Sequence, residues 1–209
     1  MGADCCEVKP SIDPRARKAL WIALVLNITM FVVEVVYSFL ADSVSLKADA
    51  LDFLGDSANY AVSLYVLSLS ILMRARASQI KGITMGAFGI WVVYDAINTV
   101  LNGGAPHAET MTIVGIAAFL VNALVAFVLY SFRNGDSNMQ SVWLCTRNDI
   151  IGNLAVIAAA GGVYFTHTFW PDIVVAAVMS FLSITASLKV LKLASAEIQQ
   201  AKAHAGADS

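Results

Sequence analysis

Carboxylates lie within stretches of this 209-residue chain that are otherwise hydrophobic. The chain holds 15 Asp and Glu residues, and the ones in apolar stretches are Glu34, Asp49, Asp52, Asp56, Asp95 and Asp149. A charged side chain in hydrocarbon costs about 2.5–3.5 kcal/mol on insertion scales. No Lys, Arg or His occupies the middle of these stretches, so the sequence predicts no salt bridges for the carboxylates. They are expected to hold protons, face water or bind cations, and a path for positive ions is the economical interpretation.

The spacing of these residues defines two polar helical faces, because steps of three and four residues keep side chains on one side of a helix. The first face comprises Asp49, Asp52, Asp56, Asn59 and Ser63. The second comprises Cys145, Asp149 and Asn153. Two helices that each present two oxygen ligands one turn apart can form a four-ligand site, a number that suits Zn²⁺ and similar ions.

Interhelical hydrogen bonding is the alternative explanation for such polar residues. We favour it for Asn59, Asn153 or Ser63 taken singly, but not for the Asp residues taken together, because unpaired carboxylates cost far more than amides. For Cys145, a packed apolar residue is favoured over a soft metal ligand.

The composition indicates that these faces belong to membrane-spanning helices. Hydrophobic residues make up 58% of the chain, charged residues 13%, and the mean hydropathy is +0.72, which argues against a soluble or a disordered chain. The net charge of -2 gives no reason to expect nucleic acid. Apolar runs of about 20 residues predict an all-α, polytopic membrane protein with six transmembrane helices. The predicted helices are residues 19–40, 44–73, 82–101, 111–132, 142–166 and 173–193.

The basic residues predict the orientation and the domain limits. With both termini in the cytoplasm, 12 of the 13 Lys and Arg residues fall on the inner side, as the positive-inside rule requires. We expect an N-terminal cytoplasmic tail over 1–18, a six-helix transmembrane domain over 19–195, and a short cytoplasmic tail over 196–209 without a further domain. Short loops and a short tail favour a bacterial inner membrane. Cys5 and Cys6 lie in the N-terminal tail, where thiols stay reduced, and an incidental pair is favoured over a soft-metal site.

The two polar faces also carry a family resemblance, which covers roughly residues 15–195. The stretch SVSLKADALDFLGD, preceded by Asn27 and Glu34, resembles the first two helices of cation diffusion facilitators. Asp52 and Asp56 match the (H/D)xxxD motif of that family's second helix. The motif of its fifth helix is matched by Asp149 and Asn153, with Asn153 in place of the usual Asp. Residues 170–172, WPD, resemble the family's turn before the sixth helix.

The resemblance implies efflux of divalent metal cations from the cytoplasm by proton antiport. Its transport site corresponds to Asp52, Asp56, Asp149 and Asn153, and metal and protons compete for the carboxylates because a ligand must be deprotonated to coordinate. We expect Zn²⁺ or Cd²⁺ first, then Mn²⁺ or Fe²⁺, as substrate rather than cofactor. Accessory positions are Cys145, Asp49 and Glu34. The neutral Asn153 is expected to weaken dication binding, so Asn153→Asp should strengthen it.

Other functions and partners stay open from the sequence. The same acidic face would suit a cation channel without proton coupling. Paired Asp residues would also suit an intramembrane enzyme with an acid and a base. The expected partners are the lipid bilayer, divalent metal ions, protons and, in a homodimer, a second copy. The small-residue face of Gly82, Gly86 and Gly89 permits close helix approach and is a candidate dimer contact.

Overall fold

The computed structural model describes residues 14–65, 71–132 and 137–207, with side chains described except at 71, 74, 137–145, 147 and 200–207. These residues form six helices and no strand, which confirms the all-α prediction. The helices are α1 (Pro14–Leu40), α2 (Val44–Tyr65), α3 (Ile71–Asn102), α4 (Ala108–Tyr130), α5 (Ser137–Thr166) and α6 (Trp170–Ala207). We call the end that carries the 41–43, 103–107 and 167–169 connections the outer end.

Five of the described helices contain a segment long and apolar enough to cross a bilayer, namely α1, α3, α4, α5 and α6. The acidic α2 is the sixth helix, and its 22 residues correspond to about 33 Å. Fifteen of those residues are buried, and α2 contacts α1, α3, α5 and α6. The acidic helix therefore lies inside the bundle. Large exposed apolar residues such as Leu101, Phe127 and Phe165 lie on the surrounding helices, where they suit contact with lipid.

Several predicted helix limits were wrong. The stretch 74–81, predicted as a polar break, is helical and belongs to α3, and residues 71–73, predicted as the end of the second helix, belong to α3 as well. The last helix continues to Ala207 instead of ending at residue 193. Hydropathy locates the apolar part of a helix, whereas long charged residues such as Arg and Lys extend helices readily into water.

The outer end of α2 is fixed by a carboxylate from α6. Asp172 accepts hydrogen bonds from the backbone N–H groups of Val44 (2.7 Å) and Ser45 (3.1 Å). It also accepts hydrogen bonds from the hydroxyls of Ser43 (2.8 Å) and Ser45 (2.5 Å). The first N–H groups of a helix have no intrahelical partner and favour a negative charge, so this buried anion caps α2 and holds its start against α6.

Glycines of α3 let α6 pack closely against it. The positions of a Cβ on Gly82, Gly86 and Gly89 lie within 2.9 Å of side-chain atoms of Leu191, Ser187 and Ile184, respectively. The hydroxyl of Ser187 also donates to the carbonyl of Gly82 at 2.7 Å. The prediction that this face permits close approach is confirmed. Because α6 covers it, the face is not available as the predicted dimer contact.

Candidate metal site

The polar faces of α2 and α5 lie against each other, as the sequence predicts. The two helices contact each other directly, and they run in opposite directions through the bundle. Four contacts follow one another from the inner to the outer half of this interface. They are Tyr60 with Thr146, Asp56 with Asp149, Asp52 with Gly152, and Asp49 with Asn153.

Asp56 and Asp149 form the carboxyl pair at the centre of this series. Their side chains are within hydrogen-bonding range of each other, and Asp56 is 5% exposed. Tyr60 donates its hydroxyl hydrogen to Oδ2 of Asp56 at 2.8 Å, and its oxygen lies 2.7 Å from Oγ1 of Thr146. Two carboxyl groups at this separation repel unless a proton or a cation lies between them. The pair is therefore suited to exchange one positive ion for another.

Asp52 lies one turn outward of Asp56 and points towards α5 and α6. Its Oδ2 is 4.0 Å from the position that a Cβ on Gly152 would occupy. The hydroxyl of Ser183 on α6 is its hydrogen-bonding neighbour. Glycine at 152 thus keeps the side of α5 nearest this carboxylate clear of any side chain.

Asn153, the fourth predicted ligand, is engaged elsewhere. Its Nδ2 donates to both carboxylate oxygens of Asp49, at 3.0 and 2.8 Å, and its Oδ1 accepts a hydrogen bond from Asn122 at 2.9 Å. Among the residues that the structure describes, no three His, Cys, Asp or Glu side chains are close enough to hold a metal ion together. The structure therefore brings together Asp56 and Asp149, with Asp52 adjacent, and joins Asn153 to Asp49.

The predicted accessory residues have separate surroundings. Glu34 is fully buried on α1 and faces Asp49 rather than the Asp56–Asp149 pair. Cys145 belongs to α5, but its side chain is outside the described part of the structure, and Cys5 and Cys6 lie outside the described residues altogether.

Asp95 contradicts the prediction that no opposite charge accompanies the helix carboxylates. The Lys47 ammonium lies 2.6 Å from Oδ2 of Asp95, so these residues form an ion pair between α2 and α3. The same ammonium lies 4.9 Å from the ring centre of Phe39 and 5.8 Å from that of Trp91. Lys47 starts near the outer end of α2, and its long side chain carries the charge across to α3.

Several polar residues of the site were not identified from the sequence, namely Tyr60, Thr146, Ser183, Asn122 and Lys81. Tyr60 lies four residues after Asp56 and Thr146 three before Asp149, so helical spacing placed both on the polar faces. Lys81 donates a hydrogen bond to Oδ1 of Asn59, on the inner side of the site. The sequence did not indicate Lys81 as part of the site because residues 74–81 were predicted to be a polar break between helices.

The family match and the similar proteins all indicate cation transport across membranes. Residues 20–198 match the cation efflux transmembrane domain. The cadmium, cobalt and zinc/H(+)-K(+) antiporter of Bacillus subtilis is 24% identical over 84% of this chain and 61% of its own length. The metal cation efflux system protein CzcD of Cupriavidus metallidurans is 22% identical over 92% of this chain and 64% of its own length. The proton-coupled zinc antiporter SLC30A2 of Mus musculus is 23% identical over 85% of this chain and 56% of its own length.

These relatives are transporters, which removes the intramembrane enzyme from the alternatives. The chain spans less than two thirds of the length of each of these three relatives. The family match, by contrast, includes all of α2, α3, α4 and α5 and most of α1 and α6. The protein is a multi-pass membrane protein that belongs to the cation efflux transmembrane domain family.

Proposed function

We propose that the protein exports divalent transition-metal cations from the cytoplasm by proton antiport, with Asp52, Asp56 and Asp149 as the metal ligands. The observation that carries this proposal is the buried contact between the carboxyl groups of Asp56 and Asp149. A dication stabilises such a pair by neutralising it, and protons do the same in its absence.

Ligand assembly requires only a local change. Asp52 is one helical turn from Asp56, which separates their Cβ atoms by about 5–6 Å. Carboxylate oxygens bind Zn²⁺ at about 2.0–2.2 Å, so a side-chain rotation of Asp52 towards the Asp56–Asp149 pair completes a three-carboxylate set. Gly152 leaves room for this rotation because it presents no side chain. Tyr60 holds one oxygen of Asp56 by hydrogen bonding and leaves the other for the ion.

Exchange of metal for protons follows from competition for the same oxygens. On the cytoplasmic side a dication displaces protons from the carboxyl groups, and on a more acidic outer side protons displace the metal. Movement of helices around a site near the middle of the bilayer gives access to each side in turn. The carboxylates are therefore both the metal ligands and a means of release.

The relatives' names guide the choice of ion. They include cadmium, cobalt and zinc, so we place Zn²⁺ and Cd²⁺ first as substrates. An all-oxygen ligand set also suits Mn²⁺ or Fe²⁺, which we place second. We further propose a bacterial inner membrane as the location. A homodimer stays a prediction, and it requires a surface other than the glycine face of α3.

Transport into proteoliposomes tests the proposal. Purified protein is reconstituted around a metal-sensitive dye, and Zn²⁺ or Cd²⁺ uptake is followed with and without a pH gradient. We expect gradient-stimulated uptake that is lost in Asp52→Asn, Asp56→Asn and Asp149→Asn, and kept in Glu109→Gln, a control at an exposed carboxylate of α4. Uptake that survives all three Asn substitutions contradicts the proposed site, and uptake indifferent to the gradient indicates a channel.

A further inference from the structure

Glu34 is a buried carboxylate without a hydrogen-bond donor. It lies on α1 at 0% exposure, and neither Oε1 nor Oε2 has a hydrogen-bond partner among the described residues. Leaving a charged acceptor unsatisfied in the interior carries a large desolvation cost. Its hydrogen-bonding neighbour is Asp49, and of the proposed metal ligands only Asp52 acts on it, through its charge and without a hydrogen bond.

The surroundings of Glu34 lack positive charge. α1 packs against α2 and α4. From α2, the groups that act on Glu34 are the carboxylates of Asp49 and Asp52, and from α4 the polar group nearby is the neutral Asn122, which reaches the cluster through Asn153. Other charges around α2 are engaged elsewhere. Lys47 is paired with Asp95 of α3, Lys81 donates to Asn59, Asp56 contacts Asp149, and Asp172 of α6 binds the N-terminus of α2.

We infer that Glu34 and Asp49 share one proton, and that they form a proton-binding site outward of the metal carboxylates and separate from them. The proton is covalently bound to one carboxyl oxygen and hydrogen-bonded to an oxygen of the other. Binding it converts two facing carboxylates into a pair with a single negative charge, and releasing it restores both charges. This inference rests on the proposed function in one respect, that the proton is a coupling ion.

A proton fits this site better than a metal ion. Both oxygens of Asp49 already share a hydrogen donated by Nδ2 of Asn153, and that hydrogen would repel a cation placed beside them. A metal ion also needs four or more ligand atoms, whereas a proton needs one acceptor on each side. Glu34 supplies the oxygens without a donor, and Asp49 supplies the facing group.

The shared proton also gives Asn153 a physical role. An amide at 153 donates to Asp49 and accepts from Asn122, so it connects the α1–α2 carboxyl pair to α5 and α4. A carboxylate at 153 would supply no such donor. Loss of the proton makes Glu34 and Asp49 repel each other, which weakens the contact between α1 and α2 and couples protonation to helix movement.

Glu34→Gln and Asp49→Asn test the inference, since each replaces the shared proton with an amide donor of nearly the same shape. The full-length protein is studied by infrared difference spectroscopy during acid and alkaline exchange, and Glu109→Gln is the control. Protonated metal carboxylates contribute C=O absorption of their own, so we expect one component of the carboxyl C=O band to be lost in both variants and retained in the control. An unchanged band in both variants overturns the inference.

Metal binding and transport complete the test. We expect Glu34→Gln to bind Cd²⁺ with the stoichiometry of the wild type and within about threefold of its affinity, which is less than about 1 kcal/mol. We also expect it to lose the stimulation of Cd²⁺ uptake by a pH gradient. A reduced Cd²⁺ stoichiometry, retained stimulation, or failure of Glu34→Gln to fold contradicts the inference. If the Asp56 and Asp149 variants still transport metal, the proposed function fails, and the infrared result still decides whether the proton is shared.

Discussion

The substitution Asn153→Asp distinguishes two roles for Asn153, that of a metal ligand and that of a hydrogen-bond donor to Asp49. As a ligand, a carboxylate at 153 adds negative charge and strengthens dication binding. In the structure, however, Nδ2 of Asn153 donates to both oxygens of Asp49. The substitution removes this shared hydrogen bond and places a second carboxylate against the first.

The expected loss of stability follows from that hydrogen bond, in which one N–H of Asn153 is shared by both oxygens of Asp49. A hydrogen bond to a charged group contributes about 1.5–3 kcal/mol, so an ionised Asp at 153 lowers the free energy of unfolding by at least about 1.5–3 kcal/mol, and repulsion between the two carboxylates adds to the loss. A protonated Asp restores the hydrogen bond through its O–H group, and the loss is smaller. The folded variant therefore binds a proton that the unfolded chain releases, and its stability falls as the pH rises.

Thermal unfolding in detergent, followed by circular dichroism at mildly acidic and mildly alkaline pH, measures this effect. Asn98→Asp on α3 is the matched control, because Asn98 is exposed and its Oδ1 acts as an acceptor for Asn102, a role that Asp keeps. A parallel Cd²⁺ titration is expected to show no gain in affinity for Asn153→Asp. Tighter Cd²⁺ binding with unchanged stability at both pH values would refute this reasoning and make Asn153 a ligand.

Two further substitutions test the packing that holds α2 and α5 in place. A Cβ on Gly162 would lie 2.8 Å from the ring of Pro171, so Gly162→Ala should cost about 1–3 kcal/mol by overpacking, measured by thermal unfolding. Gly161→Ala is its control, because nothing lies within 4 Å there, and equal effects at both positions would contradict the packing explanation. Asp172→Ala leaves two buried N–H groups at the start of α2 without an acceptor and should cost about 2–6 kcal/mol in the same assay. A loss below about 1 kcal/mol would mean that water replaces the carboxylate.

The sequence predicted the pairing of the acidic faces because the energetic constraint is strong. Carboxylates in apolar helices must face one another, water or a cation, and the three- and four-residue steps determine which side of each helix they occupy. The meeting of Asp56 with Asp149 is the result.

Periodicity does not determine the register of one helix against another. Asp49 and Asp52 share a face of α2, and the relative height of α2 and α5 decides which of them meets Asn153. That height depends on tertiary contacts such as the cap that Asp172 places on α2 and the clearance at Gly152. Spacing along each helix specifies neither contact. The sequence therefore predicts that Asn153 binds metal together with Asp149, whereas in the structure Asn153 donates a hydrogen bond to Asp49.

Long side chains and helix extensions were the other sources of error. Lys47 begins at the outer end of α2, yet its ammonium reaches Asp95 on α3. The sequence predicts a polar break at Lys81, whereas the residue lies on α3 and donates to Asn59. Both cases show that counting charges within apolar segments underestimates the cations available to the bundle interior.

An anomalous-scattering map of the Cd²⁺-bound protein tests the central claim most directly, because it locates the ion without relying on transport. We predict a single strong peak between α2 and α5, bounded by the carboxylates of Asp52, Asp56 and Asp149. The peak should be absent in Asp56→Asn. A peak beside Glu34 and Asp49, or a peak that lies away from Asp52, Asp56 and Asp149, would contradict the proposed site.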